Sequence, residues 1–130
     1  MKKRILARVL VLALCAGLLV MPVGAAEPEA VAYLTISVAG KLQLTRYPVT
    51  LTDENENGKL DIDDVLQVGH AIYGDDTYSY ASARGDYGLS ITKLWGDTSG
   101  AFGYCVNTTV PMSLEEEVKA GDDVYAYVYQ

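Results

Sequence analysis

The chain has 130 residues, with 10 basic and 17 acidic side chains and a formal net charge of −7 at pH 7. This acidic balance argues against a nucleic-acid-binding protein, because phosphates require a basic surface. It also argues against adhesion to anionic lipid. An acidic composition is compatible with a soluble exported chain that binds cations.

The N-terminal residues have the features of a secretory signal peptide. A basic start precedes an apolar run at positions 9–20, and small residues follow at positions 24–26. We therefore predict residues 1–26 as a cleaved signal peptide and residues 27–130 as a single α+β module that is secreted and not retained in a membrane. Cys105 is then the sole cysteine, which excludes an internal disulfide and favours a buried strand position.

The first part of the predicted module is extended. Residues 31–38 alternate apolar and polar side chains, which predicts a strand with one buried face. A turn at positions 39–41 leads to a second strand around Leu42 and Leu44. Residues 47–52 continue the extended chain, and Pro48 indicates a break or an edge position because proline lacks a backbone donor.

Residues 53–64 match the spacing of a calcium-binding EF-hand-type loop. Oxygen-bearing side chains occupy loop positions 1, 3, 5, 9 and 12, and Gly58 at position 6 permits the sharp turn. An Asp at position 12 in place of Glu, and an Asn at position 5, predict weak binding of about 10⁻⁴–10⁻³ M. The predicted calcium ligands are Asp53, Asn55, Asn57, the backbone carbonyl of Lys59, Asp61 and Asp64.

The alternative interpretation of this loop is a solvated turn that caps a helix without metal, because Asp, Asn and Gly each have local reasons to occur there. The residues before the loop are extended and no second loop follows in the sequence. We therefore predict a structural clip between a strand and a helix, whose metal contributes to folding.

Apolar residues between Ile62 and Tyr73 recur at helical spacing, which predicts an amphipathic helix of about three turns ending at Gly74. A polar connection is predicted for residues 75–86. Strands are then predicted around 87–91, 102–106 and 124–129, with an acidic segment at 114–118. The order of elements predicts an α+β fold with one helix packed on a mixed sheet, in a β-grasp-like arrangement.

Two family resemblances follow from these motifs. The loop and helix at residues 53–72 resemble the calcium-binding half of dockerin modules, which carry Asn at inner positions and Asp at position 12. Dockerins carry two such loops and bind cohesins, whereas this chain has one.

Residues 87–129 resemble the domain shared with the C-terminal part of transcobalamins. The resemblance rests on the segments YGLSITKLWG (87–96), GYCVN (103–107) and GDDV (121–124). Similar segments occur in surface proteins of gut Firmicutes, often beside dockerin-like loops. The resemblance implies a β-grasp fold and a bacterial extracellular or cell-surface location.

Three classes of function are compatible with the sequence. The first is a secreted, non-catalytic calcium-binding module that binds an extracellular protein or ligand. The alternative is a small-ligand-binding domain, for a corrinoid or a glycan, using Trp95, Phe102 and the tyrosines, which otherwise pack on a sheet. An enzyme is disfavoured, because the single histidine, His70, lies late in the helix without a Ser or Cys partner in sequence.

Overall fold

The computed structural model describes residues 30–129, so the predicted signal peptide lies outside the described residues. Within that range the chain forms one helix and six strands. The bounds are β1 (Val31–Val38), β2 (Lys41–Thr50), α1 (Ile62–Tyr73), β3 (Ala81–Gly85), β4 (Gly88–Lys93), β5 (Phe102–Val106) and β6 (Asp123–Val128).

A four-stranded mixed sheet forms the centre of the fold, in the order β2-β1-β6-β5. Strands β1 and β6 pair in parallel in the middle of the sheet, and each has an antiparallel neighbour at the edge. Both middle strands alternate, as Ala32, Leu34 and Ile36 on β1 are buried while their neighbours are not. The predicted α+β class with one helix and a mixed sheet is confirmed.

Helix α1 packs on the buried face of the sheet. Its buried apolar residues Ile62, Val65 and Leu66 join the side chains of β1 and β6 in a single core. Helix and sheet approach closely at Gly69, where an added Cβ would lie 2.4 Å from Leu34 Cδ2. The predicted start and end of this helix are both confirmed.

Strand β2 is longer than expected, because it continues through two register shifts and past Pro48 without a break. The shifts fall between Leu34 and Ile36 and between Ile36 and Ser37 of the partner strand, and Arg46 on β2 adopts a φ of +47°. Pro48 itself pairs opposite Tyr33. Because β2 lies at the edge of the sheet, it has a partner strand on one side only, and such edge strands tolerate proline.

The connection predicted as polar contains a strand. Residues 81–85 form β3, which pairs with β4 as a separate two-stranded hairpin. The segment ASARG has only small and polar residues and is half-buried or exposed, so it lacks the apolar alternation that identifies strands in a sequence. The prediction of a continuous connection over 75–86 was therefore wrong.

No helix within residues 30–129 has the length and apolarity needed to cross a membrane.

Candidate calcium loop

The loop between β2 and α1 curls around the carboxylate of Asp53. Asp53 Oδ1 accepts a hydrogen bond from the backbone N–H of Asn57 at 3.1 Å, and Oδ2 accepts one from Gly58 at 2.9 Å. Gly58 has a φ of +88°, and an added Cβ there would meet nothing within 4 Å. Glycine is therefore favoured by the backbone conformation and not by steric crowding. This is the sharp turn that the loop spacing predicts at position 6.

Asn55 and Asn57 connect the loop to the carboxylates at the start of the helix, through backbone and side-chain donors. Asn57 Nδ2 donates to Asp61 Oδ2 at 2.7 Å, and the Asn55 backbone N–H donates to Asp64 Oδ1 at 3.2 Å. The N–H of Lys59 donates to Asn57 Oδ1 at 3.1 Å. The structure therefore brings all six predicted ligand residues into one hydrogen-bonded loop.

Asp61 and Asp64 cap helix α1 reciprocally. The Asp64 N–H donates to Asp61 Oδ1, and the Asp61 N–H donates to Asp64 Oδ2, both at 3.0 Å. Both residues are completely buried. Burial, together with the neighbouring charge of Asp61, raises the pKa of Asp64 to about 6. The two carboxylates thus have a structural role in the capping box, and the negative charge of Asp64 is costly where it lies.

Asp63 is an important residue of this region that the sequence did not reveal. Its Oδ1 accepts hydrogen bonds from the hydroxyls of Tyr80 at 2.6 Å and Ser82 at 2.7 Å. Its Oδ2 accepts from Gln67 Nε2 at 2.7 Å and from Asn55 Nδ2 at 2.9 Å. Burial raises the pKa of Asp63, but these donors outweigh it and hold the pKa below its usual value.

Three carboxylates are therefore buried within four residues, at exposures of 0% for Asp61, 1% for Asp63 and 0% for Asp64. The ion pairs among residues 30–129 are Arg46–Asp123 and Arg84–Glu115, and neither involves these three carboxylates. Buried charges normally require a paired charge or a metal. This region consequently carries an excess of buried negative charge that only neutral donors compensate.

The segment at residues 114–118 lies alongside the loop and holds its second half. The Val118 N–H donates to the Leu60 carbonyl at 2.9 Å, and the Ile62 N–H donates to the Glu116 carbonyl at 3.2 Å. Asp61 and Glu117 form an isolated antiparallel bridge between these bonds. Although the loop has no second loop as a partner, a backbone segment from the far end of the chain therefore fixes its conformation.

No group of three or more His, Cys, Asp and Glu side chains that could hold a metal ion occurs among residues 30–129. The predicted calcium ligands differ from such a group, because half of them are two side-chain amides and one backbone carbonyl. All six donors are oxygens, which is the chemistry that calcium prefers. The residues present therefore fit calcium in donor type, and the excess of buried carboxylate charge fits a cation.

His70 lies in the last turn of α1, at the end of the helix away from this loop, and is buried. Its Nδ1 lies 2.7 Å from the Leu66 carbonyl oxygen, and its Nε2 accepts the backbone N–H of Trp95 at 3.2 Å. These partners require a neutral ring with the proton on Nδ1. Burial lowers the pKa of His70 to about 4. The side chain is thus a packed, neutral element of the fold.

The aromatic residues considered for ligand binding make packing contacts. Trp95 stacks on Tyr78 with ring centroids 5.3 Å apart, and His70 contacts it edge-on at the same distance. Phe102 packs against the core. An open cleft of about 350 Å³ lies beside α1, lined among others by Gln67 and Tyr80. Trp95 does not line this cleft.

Cys105 lies on β5, where it is half-buried and not part of the core that was predicted for it. Its neighbour Val106 is buried, and successive side chains of a strand point to opposite faces, so Cys105 lies on the face away from the helix. Burial raises the pKa of its thiol.

No protein-family model matches this chain, and no curated protein matches it in sequence.

Proposed function

We propose that the protein is a secreted, non-catalytic calcium-binding module in which one calcium ion acts as a structural clip between β2 and α1. Asp53, Asn55, Asn57, Asp61 and Asp64 would hold the ion with side-chain oxygens, and Lys59 would hold it with its carbonyl. The bound ion would supply positive charge and cross-link the end of a strand to the start of a helix.

The observation that carries this proposal is the burial of Asp61 and Asp64 without a positively charged partner among residues 30–129. These carboxylates are completely buried, and the donors that reach them are neutral backbone and amide groups. A solvated capping turn, which is the alternative interpretation, has no need to bury its carboxylates. A calcium ion among them would relieve the desolvation cost, which makes the metal loop the better explanation.

The arrangement of the sheet supports the finer fold assignment. The first and last strands pair in parallel at its centre, a hairpin partner flanks the first, and one helix covers one face. We propose a β-grasp-like fold on this basis, in keeping with the resemblance to the transcobalamin C-terminal-like domain. The resemblance of residues 53–72 to dockerin modules supports the calcium loop, and the N-terminal sequence supports export to the cell surface or medium.

A non-catalytic role is supported by the states of the candidate reactive groups. Both ring nitrogens of His70 are engaged by backbone groups, so neither is available as a general base. Burial raises the pKa of the Cys105 thiol, which disfavours the nucleophilic thiolate. The partner of the module is then an extracellular protein or ligand bound without chemical change.

Thermal melting in calcium and in chelator tests the proposal. With a Kd of about 1 mM, about 10 mM calcium stabilises the folded chain by roughly 1.4 kcal/mol. For a domain of about 100 residues this raises Tm by roughly 5–10 °C. The Asp53→Ala variant should lose this increment, because the ion loses a ligand at loop position 1.

Asp75→Ala is the matched control, because Asp75 is exposed and lies outside the loop. It should keep the calcium-dependent increment of the unmodified chain. An unmodified chain whose Tm is the same in calcium and in chelator would refute the proposed function.

A further inference from the structure

We propose that Asp63 couples the calcium loop to the β3–β4 hairpin, acting as a positioning residue that does not itself bind the ion. This inference rests on the proposed function. It is based on the hydrogen bonds of the Asp63 carboxylate. One oxygen accepts from Tyr80 and Ser82 in the hairpin region, and the other accepts from Asn55, a predicted calcium ligand.

The contact with Asn55 fixes the direction of that ligand. An ionised carboxylate only accepts hydrogen bonds, so Asp63 Oδ2 selects the Nδ2 end of the Asn55 amide, which it meets at 2.9 Å. The oxygen end of the same amide then faces the loop, where Asn55 Oδ1 lies 3.3 Å from the backbone nitrogen of Asn57. Nδ2 also lies 3.4 Å from both carboxylate oxygens of Asp61, so Asp63 makes the shortest of three contacts that orient the amide of loop position 3.

The contacts of the other oxygen connect this arrangement to a distant part of the chain. Tyr80 and Ser82, which donate to Asp63 Oδ1, lie 17 and 19 residues further along the sequence, and Ser82 belongs to β3. Burial and the bond to Asp63 raise the pKa of Tyr80 above its ordinary value, so its hydroxyl remains a donor. The hairpin region thus helps to hold the Asp63 carboxylate in place, and Asp63 accepts the shortest hydrogen bond from the Asn55 amide.

The backbone provides a second connection between the same elements. The Asp63 N–H donates to the Leu114 carbonyl at 3.1 Å, and the Leu114 N–H donates to the Leu89 carbonyl of β4 at 2.9 Å. Arg84 of β3 also pairs with Glu115 of this segment. The hairpin therefore contacts the start of α1 by two routes, and both meet at Asp63.

Coupling of this kind is reciprocal, because a contact that favours calcium binding is itself favoured when calcium is bound. Hydrogen-bonding partners of metal ligands typically contribute about 10–100-fold to metal affinity. We expect Asp63→Asn to weaken calcium binding by a factor in this range, because an amide cannot accept all four hydrogen bonds. We expect Ser82→Ala to weaken it by roughly tenfold, at the low end of that range.

The test is calorimetric calcium titration of the purified chain, of Ser82→Ala and of Ser90→Ala, together with hydrogen exchange of the unmodified chain with and without calcium. Ser90 is the matched control, because it lies on β4 of the same hairpin but is exposed. Calcium should slow exchange over residues 81–93, and affinity should fall in Ser82→Ala but not in Ser90→Ala. If Asp63→Asn fails to fold, the two serine variants and the exchange data still test the coupling.

The two proposals fail in different ways. If the unmodified chain binds calcium, but Ser82→Ala binds it equally well and hairpin exchange is unaffected, the coupling through Asp63 is refuted and the calcium module stands. If Ser90→Ala loses as much affinity as Ser82→Ala, the effect belongs to hairpin stability in general and the specific role of Asp63 is also refuted. A chain that shows no calcium binding refutes both.

Discussion

At the scale of single residues, the burial of ionisable groups distinguishes the two ends of helix α1. At its N-terminal end, Asp61 and Asp64 are buried as carboxylates that receive only neutral donors. In its last turn, His70 is buried between Tyr80 and Trp95 as a neutral ring. The first arrangement favours a cation, whereas the second excludes a charge.

His70 gives the fold a dependence on pH that can be measured directly. The pKa of the folded state, about 4, lies below the ordinary value of 6.5. The unfolded chain therefore binds more protons between these values, and the free energy of unfolding falls as the pH is lowered from about 6.5 to about 4. The full loss amounts to about 3 kcal/mol.

Denaturant unfolding of the unmodified chain and of His70→Gln between pH 7 and pH 4 measures this effect. Glutamine does not titrate, so the difference in stability between the two proteins should shrink as the pH falls. The opposing contribution of Asp64, whose raised pKa relieves the folded state on acidification, is common to both proteins and cancels in the difference. Parallel stability curves over this range would contradict the buried neutral histidine.

At the scale of elements, the contact of α1 with the sheet depends on a glycine. An added Cβ at Gly69 would lie 2.4 Å from Leu34 Cδ2, and Leu34 is completely buried, so its side chain can move only by displacing other core residues. Gly69→Ala should therefore destabilise the fold by roughly 1–2 kcal/mol, although alanine is the better helix former.

Chemical denaturation of Gly69→Ala, with Leu34→Val and the double variant, measures that contact. Valine at position 34 lacks the methyl group that the new Cβ would meet, so the cost of Gly69→Ala should decrease in the Leu34→Val background. A Gly69→Ala variant more stable than the unmodified chain would show that helix and sheet are not in close contact there.

The sequence predicted elements well where a local pattern determines them. The alternation in β1 and β6, the helical spacing from Ile62 to Tyr73 and the glycine of the loop are all local, and the structure has each of them. Strand β3 was missed because the segment ASARG pairs through its backbone and has little apolar surface. Its strand conformation depends on β4, which no local pattern shows.

The parts of the site that the sequence did not predict depend on contacts between residues far apart in the chain. Asp63 resembles any acidic residue in the first turn of a helix, and its role is evident only from Tyr80 and Ser82. Likewise, the backbone support of the loop comes from residues around Glu116 and Val118. The sequence could name the candidate ligands because the loop is contiguous, whereas the supporting contacts of the loop come from other elements.

At the scale of the whole molecule, the loop lies where several parts of the fold meet. It follows edge strand β2, starts helix α1, and is held by the 114–118 segment and, through Asp63, by the hairpin region. An ion bound at this position would stabilise long-range contacts as well as the loop. Under the proposed function, calcium would therefore add to the stability of the whole module, even at a weak affinity.

The most direct test of the calcium site is an NMR titration of the ¹⁵N-labelled chain with calcium. The amides of Gly58 and Asn57, which donate to the Asp53 carboxylate, should shift and saturate with 1:1 stoichiometry. The midpoint should lie at about 10⁻⁴–10⁻³ M calcium. If these amides do not shift at about tenfold higher calcium, or if shifts are confined to exposed acidic residues such as Asp75 and Asp76, the loop is not a calcium site and the account is contradicted.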